Sequence, residues 1–243
     1  MLCFTDTEQC RLMPPLPESV VYQQFLKLPH GGLCYSINTE RLSNIVAFGC
    51  SKEILIYDSN LHFESHMTCN DSVRSVGYHT KSRKIYYLDS SWRVGYVTLN
   101  GFQSGKKVLD FKTCNDYPRI AVSDEYLVAS NVGGYKLHVY SFSSMTSRRY
   151  FRGSGENWIR SLKFDVDSLI TLDVTGVVTK YIISETKSPE LLWSCPTARE
   201  AYALCVDQNT GVVYVTGPNH MLYIIYGSTR MLCFRNSIKY FWL

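Results

Sequence analysis

The chain has 243 residues, of which 45% are hydrophobic, 14% aromatic and 19% charged. That is the make-up of a folded domain and excludes a disordered or fibrous polypeptide. Twenty-five Lys and Arg against 21 Asp and Glu leave a net charge of +4; the cations are scattered in twos and threes, so no nucleic acid partner is implied.

Residues 1–18 read as an irregular N-terminal segment. An acidic residue stands at Asp6 and no apolar h-region follows, which is not the pattern of a secretory signal. No stretch reaches the about 18 apolar residues of a membrane helix. The sequon Asn70-Asp71-Ser72 is read as coincidence, since it matters only in a secreted protein. The nine cysteines show no metal-ligand spacing. With Cys205 inside the apolar run ALCVD, they are expected to be reduced, partly buried thiols of a cytoplasmic protein, a nuclear location not being excluded.

From residue 19 onward the chain repeats itself. Five passages match: LCYSINTERLSNIVAFG, VRSVGYHTKSRKIYYLD, PRIAVSDEYLVASN, IRSLKFDVDSLITLD and YALCVDQNTGVVYVTG. Anchored on the last apolar residue of each first run, at Ile37, Tyr78, Val122, Phe164 and Val206, they are spaced by 41, 44, 42 and 42 residues. Within each unit a first apolar run is followed by a second (Ile45, Ile85, Leu127, Leu169 and Val212 begin them) and a third (Ile54, Val94, Tyr135, Val177, Met221). Looser fourth runs lie near Leu61 to Met67, Val108 to Phe111, Tyr150 to Phe151, Leu191 to Cys195 and Met231 to Phe234. Val, Ile, Tyr and Phe dominate the runs, and Gly, Asn, Asp and Ser separate them, which predicts strands joined by tight turns. No run keeps a 3.6-residue period long enough for a helix. Four strands per unit at this period predict an all-β fold, a β-propeller over residues 19–243, with a partial sixth unit or an open or truncated ring as alternatives.

These units resemble the WD40/YVTN-type β-propeller superfamily. Ile159-Arg160-Ser161-Leu162-Lys163-Phe164-Asp165 followed by Leu169-Ile170-Thr171-Leu172-Asp173 is similar to the family's first two strands, and Val73-Arg74-Ser75-Val76-Gly77-Tyr78 repeats the start of that pattern. Val213-Tyr214-Val215-Thr216-Gly217 resembles the motif that names the YVTN group, and Ile56-Tyr57-Asp58 the aromatic-Asp pair of WD40 blades. No Gly-His dipeptide occurs and only the first unit has the aromatic-Asp ending, so the family's His-Ser/Thr-Asp-Trp network is not transferred. The resemblance implies a non-enzymatic interaction scaffold.

Ring closure is expected to mix the termini. One repeat upstream of the fourth run near Leu61, Val20-Val21-Tyr22-Gln23-Gln24-Phe25 would supply an outer strand, and the tail Asn236 to Leu243 either closes the ring or opens a sixth unit. Residues 16–28 also resemble the first helix of an F-box, but the first unit begins by Leu33 and leaves no room for the rest. A substrate-recognition subunit of a larger complex, such as a ubiquitin ligase, therefore stays an alternative function.

Chemistry-bearing motifs are few. His62, Glu64 and His66 could share one face of an outer strand but lack a fourth metal ligand. Asp165 and Asp167 are expected to serve a turn. Gly153-Ser154-Gly155 is no nucleophile elbow, and no phosphate-cradling glycine motif occurs. No catalytic residue, cofactor or metal is expected. Tyr150-Phe151-Arg152-Gly153 resembles the Phe-Arg-Arg-Gly of phosphoinositide-binding propellers with one arginine missing; Arg148, Arg149 and Arg152 would carry that alternative at a membrane surface. Arg74 and Arg160 recur four residues before their anchors, Arg119 is one residue off register, and Tyr202 is the equivalent in the last unit. With the turn residues Trp92, Trp158 and His220, they are expected to form a protein-docking rim at one end of the channel.

Overall fold

The computed structural model describes residues 34–40, 45–58, 60–99, 109–111, 118–132, 135–152, 158–218, 221–227 and 230–235. They form five antiparallel sheets, each made of four consecutive strands, with no helix among the described residues. Blade one contains β1 (Cys34–Glu40), β2 (Ile45–Cys50), β3 (Glu53–Asp58) and β4 (Phe63–Thr68). Blade two contains β5 (Val73–His79), β6 (Lys84–Asp89), β7 (Arg93–Thr98) and β8 (Leu109–Asp110). Blade three contains β9 (Ile120–Val122), β10 (Tyr126–Val132), β11 (Tyr135–Ser141) and β12 (Ser147–Arg152). Blade four contains β13 (Ile159–Asp165), β14 (Ser168–Asp173), β15 (Val177–Ile182) and β16 (Glu190–Pro196). Blade five contains β17 (Ala203–Asp207), β18 (Val212–Thr216), β19 (Met221–Tyr226) and β20 (Arg230–Arg235).

Turn chemistry sets the strand ends. The Asp89 carboxylate accepts from the backbone N–H groups of Ser91 and Arg93 at 2.9 Å each, and Asp173 does the same for Thr175 at 2.9 Å and Val177 at 3.0 Å. Both aspartates thereby satisfy the amides of the turn into the third strand. Gly176 completes the second of these turns at φ +83°, where a Cβ would lie 1.9 Å from the Ala198 carbonyl oxygen. Only glycine fits there.

The first strands of successive blades contact one another, so they line the axis while the fourth strands lie outside. Each neighbouring pair of blades buries an apolar layer. Ile54 and Ile56 face Val73, Val76 and Ile85 between blades one and two, and Leu88 and Val94 face Ile120 and Leu127 in the next layer. Leu137 and Val139 meet Leu162 and Leu169 between blades three and four, and Ile170 and Leu172 meet Val213 and Ile225 after that. Burial of each such side chain contributes about 1.5–3 kcal/mol. Covering on both faces explains why runs such as Leu169 to Leu172 do not alternate with polar residues.

The predicted strands and the propeller stand, with several differences. Every described sheet is complete from its own unit, so no described blade mixes the chain's two ends, and among the described residues no strand closes the ring between blades five and one. The segments 19–25 and 236–243 that were to close it lie outside the described residues. The first repeat anchor also shifts: register places Thr39, opposite Val46, where Tyr78 stands opposite Ile85. Ile37 had seemed equivalent because the apolar run ends there, two residues before the strand's own repeat position.

Two readings of polar residues are corrected. Asp165 ends β13, is buried, and pairs with Lys180 rather than serving a turn; Asp167 is the exposed turn residue. Cys34 and Cys50, expected as thiols, are joined by a disulfide. They face each other directly across β1 and β2, a proximity that a sequence separation of 16 conceals. Cys205, expected to be partly buried, is exposed, whereas Cys69 is buried and its thiol pKa is pushed up to about 11 by burial.

One buried group makes the core sensitive to acid. His138 on β11 packs its ring 5.3 Å from that of Phe111, and among the described residues neither ring nitrogen has a hydrogen-bond partner. Burial, assisted by the Arg149 charge, lowers its pKa to about 4. The unfolded chain, with an ordinary histidine near 6.5, therefore binds the extra proton first, and stability falls as pH drops from about 6.5 to about 4. Denaturant titrations across that range should show a loss of up to about 3 kcal/mol, and His138→Leu should remove most of that slope.

Candidate functional site

The inner ends of the first strands share one architecture. The register of β1 with β2, β5 with β6, and β13 with β14 shifts by one residue at the same place, leaving Tyr35, Arg74 and Arg160 as the extra residues. A bulge of this kind re-aims the inserted side chain. Arg74 lies over the Tyr35 ring of blade one, 4.4 Å from its centroid, and Arg160 lies 5.8 Å from the centroid of Tyr202 in blade five. Each contact joins neighbouring blades and contributes about 0.5–1 kcal/mol at such partly exposed sites. Arg160 also donates to the Ala201 carbonyl at 2.8 Å.

The residue after each bulge ties the ring together. The Ser36 hydroxyl accepts from the Val76 N–H at 3.1 Å, Ser75 from the Ile120 N–H at 3.1 Å, and Ser161 from the Leu204 N–H at 3.3 Å. Blade three has no serine there. Its junction with blade four uses Asn131, which accepts from the Ile159 N–H at 3.0 Å and donates to the Ile159 carbonyl at 2.7 Å. Thus each of the four blade junctions carries one side-chain staple near the axis. Sequence reasoning singled out the arginines and missed the serines beside them, although Arg74-Ser75 and Arg160-Ser161 carried the signal.

Antiparallel order puts the starts of the first strands and the turns between second and third strands at one end of the ring. Arg74, Arg119, Arg160, Tyr202, Trp92 and Trp158 all lie at that end. Trp158 is 41% exposed and Tyr202 is 56% exposed. Trp92, at φ +60°, packs partly buried against the layer between blades two and three. Arg119 stands just before β9 and donates to the Pro118 carbonyl at 3.4 Å. Burial and the nearby Arg74 charge lower its pKa. His220 lies outside the described residues.

Farther along β13, Lys163 donates to the Ile37 carbonyl of β1 at 2.9 Å. Burial pushes its ammonium pKa down. On the rim itself, Arg93 binds both Asp71 and Asp89, and Ser91 donates to Asp71 at 3.0 Å.

The residues of the phosphoinositide alternative sit elsewhere, on the outer strand β12. Arg148 donates to the Thr186 carbonyl at 3.2 Å, and Arg149 lies 5.5 Å from the Tyr135 ring centroid. Ser141, at the end of the adjacent β11, donates to the Glu185 carboxylate at 2.5 Å, and Ser143 donates to it at 3.1 Å. An acidic group therefore lies in the same small depression that Arg148 lines. The side chain of Arg152 lies outside the described ones. His62, considered for metal binding, is held by Asp58 at 3.1 Å.

The class of molecule these features define is a β-propeller. No family model and no curated protein matches the chain. Among solved structures it is similar to the β-propeller domain of Cps50 (Swd1) from Myceliophteria thermophila, with a TM-score of 0.61, 11% identity, and coverage of 84% of this chain and 72% of that one. The likeness is one of fold, that of a β-propeller.

Loss of a staple leaves a buried N–H without a partner, which costs about 1–3 kcal/mol. Ser75→Ala and Asn131→Ala should each lower stability by that amount in denaturant titration, whereas Ser144→Ala, in an exposed turn, should change it by less than about 0.5 kcal/mol.

Proposed function

We propose that this propeller is a non-enzymatic interaction scaffold that presents the bulge-bearing end of its ring to a protein or peptide partner. One observation carries the reading: Tyr35, Arg74 and Arg160 are aimed by equivalent bulges, and Tyr202 takes the matching position in blade five. Bulges that recur at one position in separate blades serve a side chain placement, since a regular ladder would pair more backbone groups. Arginine and aromatic side chains are the residue types that anchor protein interfaces. Arg74, Arg119, Arg160, Trp158 and Tyr202 form the docking set, with Trp92 buttressing it from below; membership of a larger complex follows from this reading.

Residues 19–243 are taken as one propeller unit, with 1–18 outside it. The compartment is assigned to the cytoplasm on the reduced thiols of Cys69 and Cys205; the Cys34–Cys50 bond is the feature a reducing compartment would open. Phosphoinositide binding through Arg148, Arg149 and Arg152 has weaker support, because Glu185 adds negative charge in the depression that Arg148 lines.

Affinity capture with the full chain should recover a set of partners that the double variant Arg74→Glu/Arg160→Glu loses, while the variant stays folded with a melting temperature lower by no more than about 10 °C. Retention of every partner by the variant would remove this end of the ring as the docking face.

A further inference from the structure

The docking reading says where a partner would bind; the charges around the channel mouth say what part of it would enter. Arg74, Arg119 and Arg160 stand at the starts of the first strands of three successive blades, and Lys163 lies farther down the same lining as Arg160. Among the described residues none of these four cations forms a salt bridge. Of the acidic side chains described at that end, three are committed, while Glu53 and the exposed Glu200 also lie there. Asp71 and Asp89 hold Arg93, and Asp173 accepts the amides of its own turn.

Arg119 is the telling member. It is partly buried, it stands close enough to Arg74 to be repelled by it, and among the described residues its guanidinium uses one of its five N–H donors, on the Pro118 carbonyl. A guanidinium cannot shed its proton to escape such a setting. A ligand that suits its planar fork is a carboxylate or a phosphate. Arg74 and Arg160 flank it, each with an aromatic ring beneath the guanidinium that leaves N–H edges free to donate. Lys163 spends one donor across the channel on the Ile37 carbonyl.

We propose that the channel mouth is an anion site for an acidic segment of the partner protein, with an Asp or Glu carboxylate accepting hydrogen bonds from Arg119 between Arg74 and Arg160. This rests on the docking reading for the identity of the bound molecule as a peptide. Charge complementarity selects the acidic segment, and the rings of Trp158 and Tyr202, exposed at the same end, supply contact for its apolar side chains.

The test uses the full chain and a fluorescein-labelled peptide rich in Glu and Asp, read by anisotropy at low and at physiological salt, beside matched peptides with Gln or Lys in place of the acids. The acidic peptide should bind, more weakly as salt rises, and the other two should not. Arg119→Gln should weaken binding about tenfold to a hundredfold, the value of one or more hydrogen bonds to a charged group. Arg74→Gln/Arg160→Gln, at partly exposed positions, keeps the test open should the first variant fail to fold; it should weaken binding by at least about tenfold.

Equal binding of the Gln peptide, or unchanged binding by folded variants, overturns the proposal. So does a site that takes inorganic phosphate, followed by competition or calorimetry, yet ignores the acidic peptide, which would make it a free-anion site. The two readings fail separately. Loss of captured partners by Arg74→Glu/Arg160→Glu without binding of the acidic peptide sinks only the acidic ligand; peptide binding with unchanged capture sinks only the docking face.

Discussion

The structure depends on mutual covering of blade faces, held in register at the axis. A four-stranded sheet in isolation leaves two apolar faces in water, and here Ile54, Leu127, Leu169 and Ile170 are fully buried only because a neighbouring blade lies against them. Apolar contact alone is non-directional and would let blades slide. The staples from Ser36, Ser75, Asn131 and Ser161 add direction, each fixing one backbone amide of the next first strand. Gly77 shows how close the strands come, since a Cβ there would lie 2.5 Å from a methyl of Val122.

That same device produces the candidate site. A serine can reach the next blade's amide where the ladder register shifts just before it, and the inserted residue of that shift is Tyr35, Arg74 or Arg160. Structural and exposed roles are thus carried by adjacent residues of one bulge. Stability at the axis and display at the rim are two outcomes of one local irregularity. Lys163, reaching from blade four to blade one, links two non-adjacent first strands at the level of the channel.

Much of this was readable in the sequence, and the limits have physical causes. The repeat of apolar runs located the strands because period and turn residues are local signals, and Arg74 and Arg160 stood out because their neighbours repeat with them. What failed depends on register. Cys34 facing Cys50, Asp165 meeting Lys180 and Thr39 displacing Ile37 as the equivalent of Tyr78 each follow from which residues oppose one another across a ladder. Asn131 was missed for a different reason: blade three fills the staple from its second strand, so no repeat position announces it. The partner's chemistry was hidden too, because a net charge of +4 spread along the chain gives no hint that cations converge at one mouth.

Native-state hydrogen exchange, resolved to single amides, tests the account most directly. The N–H groups of Val76, Ile120, Ile159 and Leu204, each bound by a side chain of the preceding blade, should exchange only through global unfolding, together and far more slowly than amides of the outer strands β4 and β16. Exchange of these four at the rate of the outer strands would mean that the blades are not joined at the axis, and the rim built on that junction would fall with it.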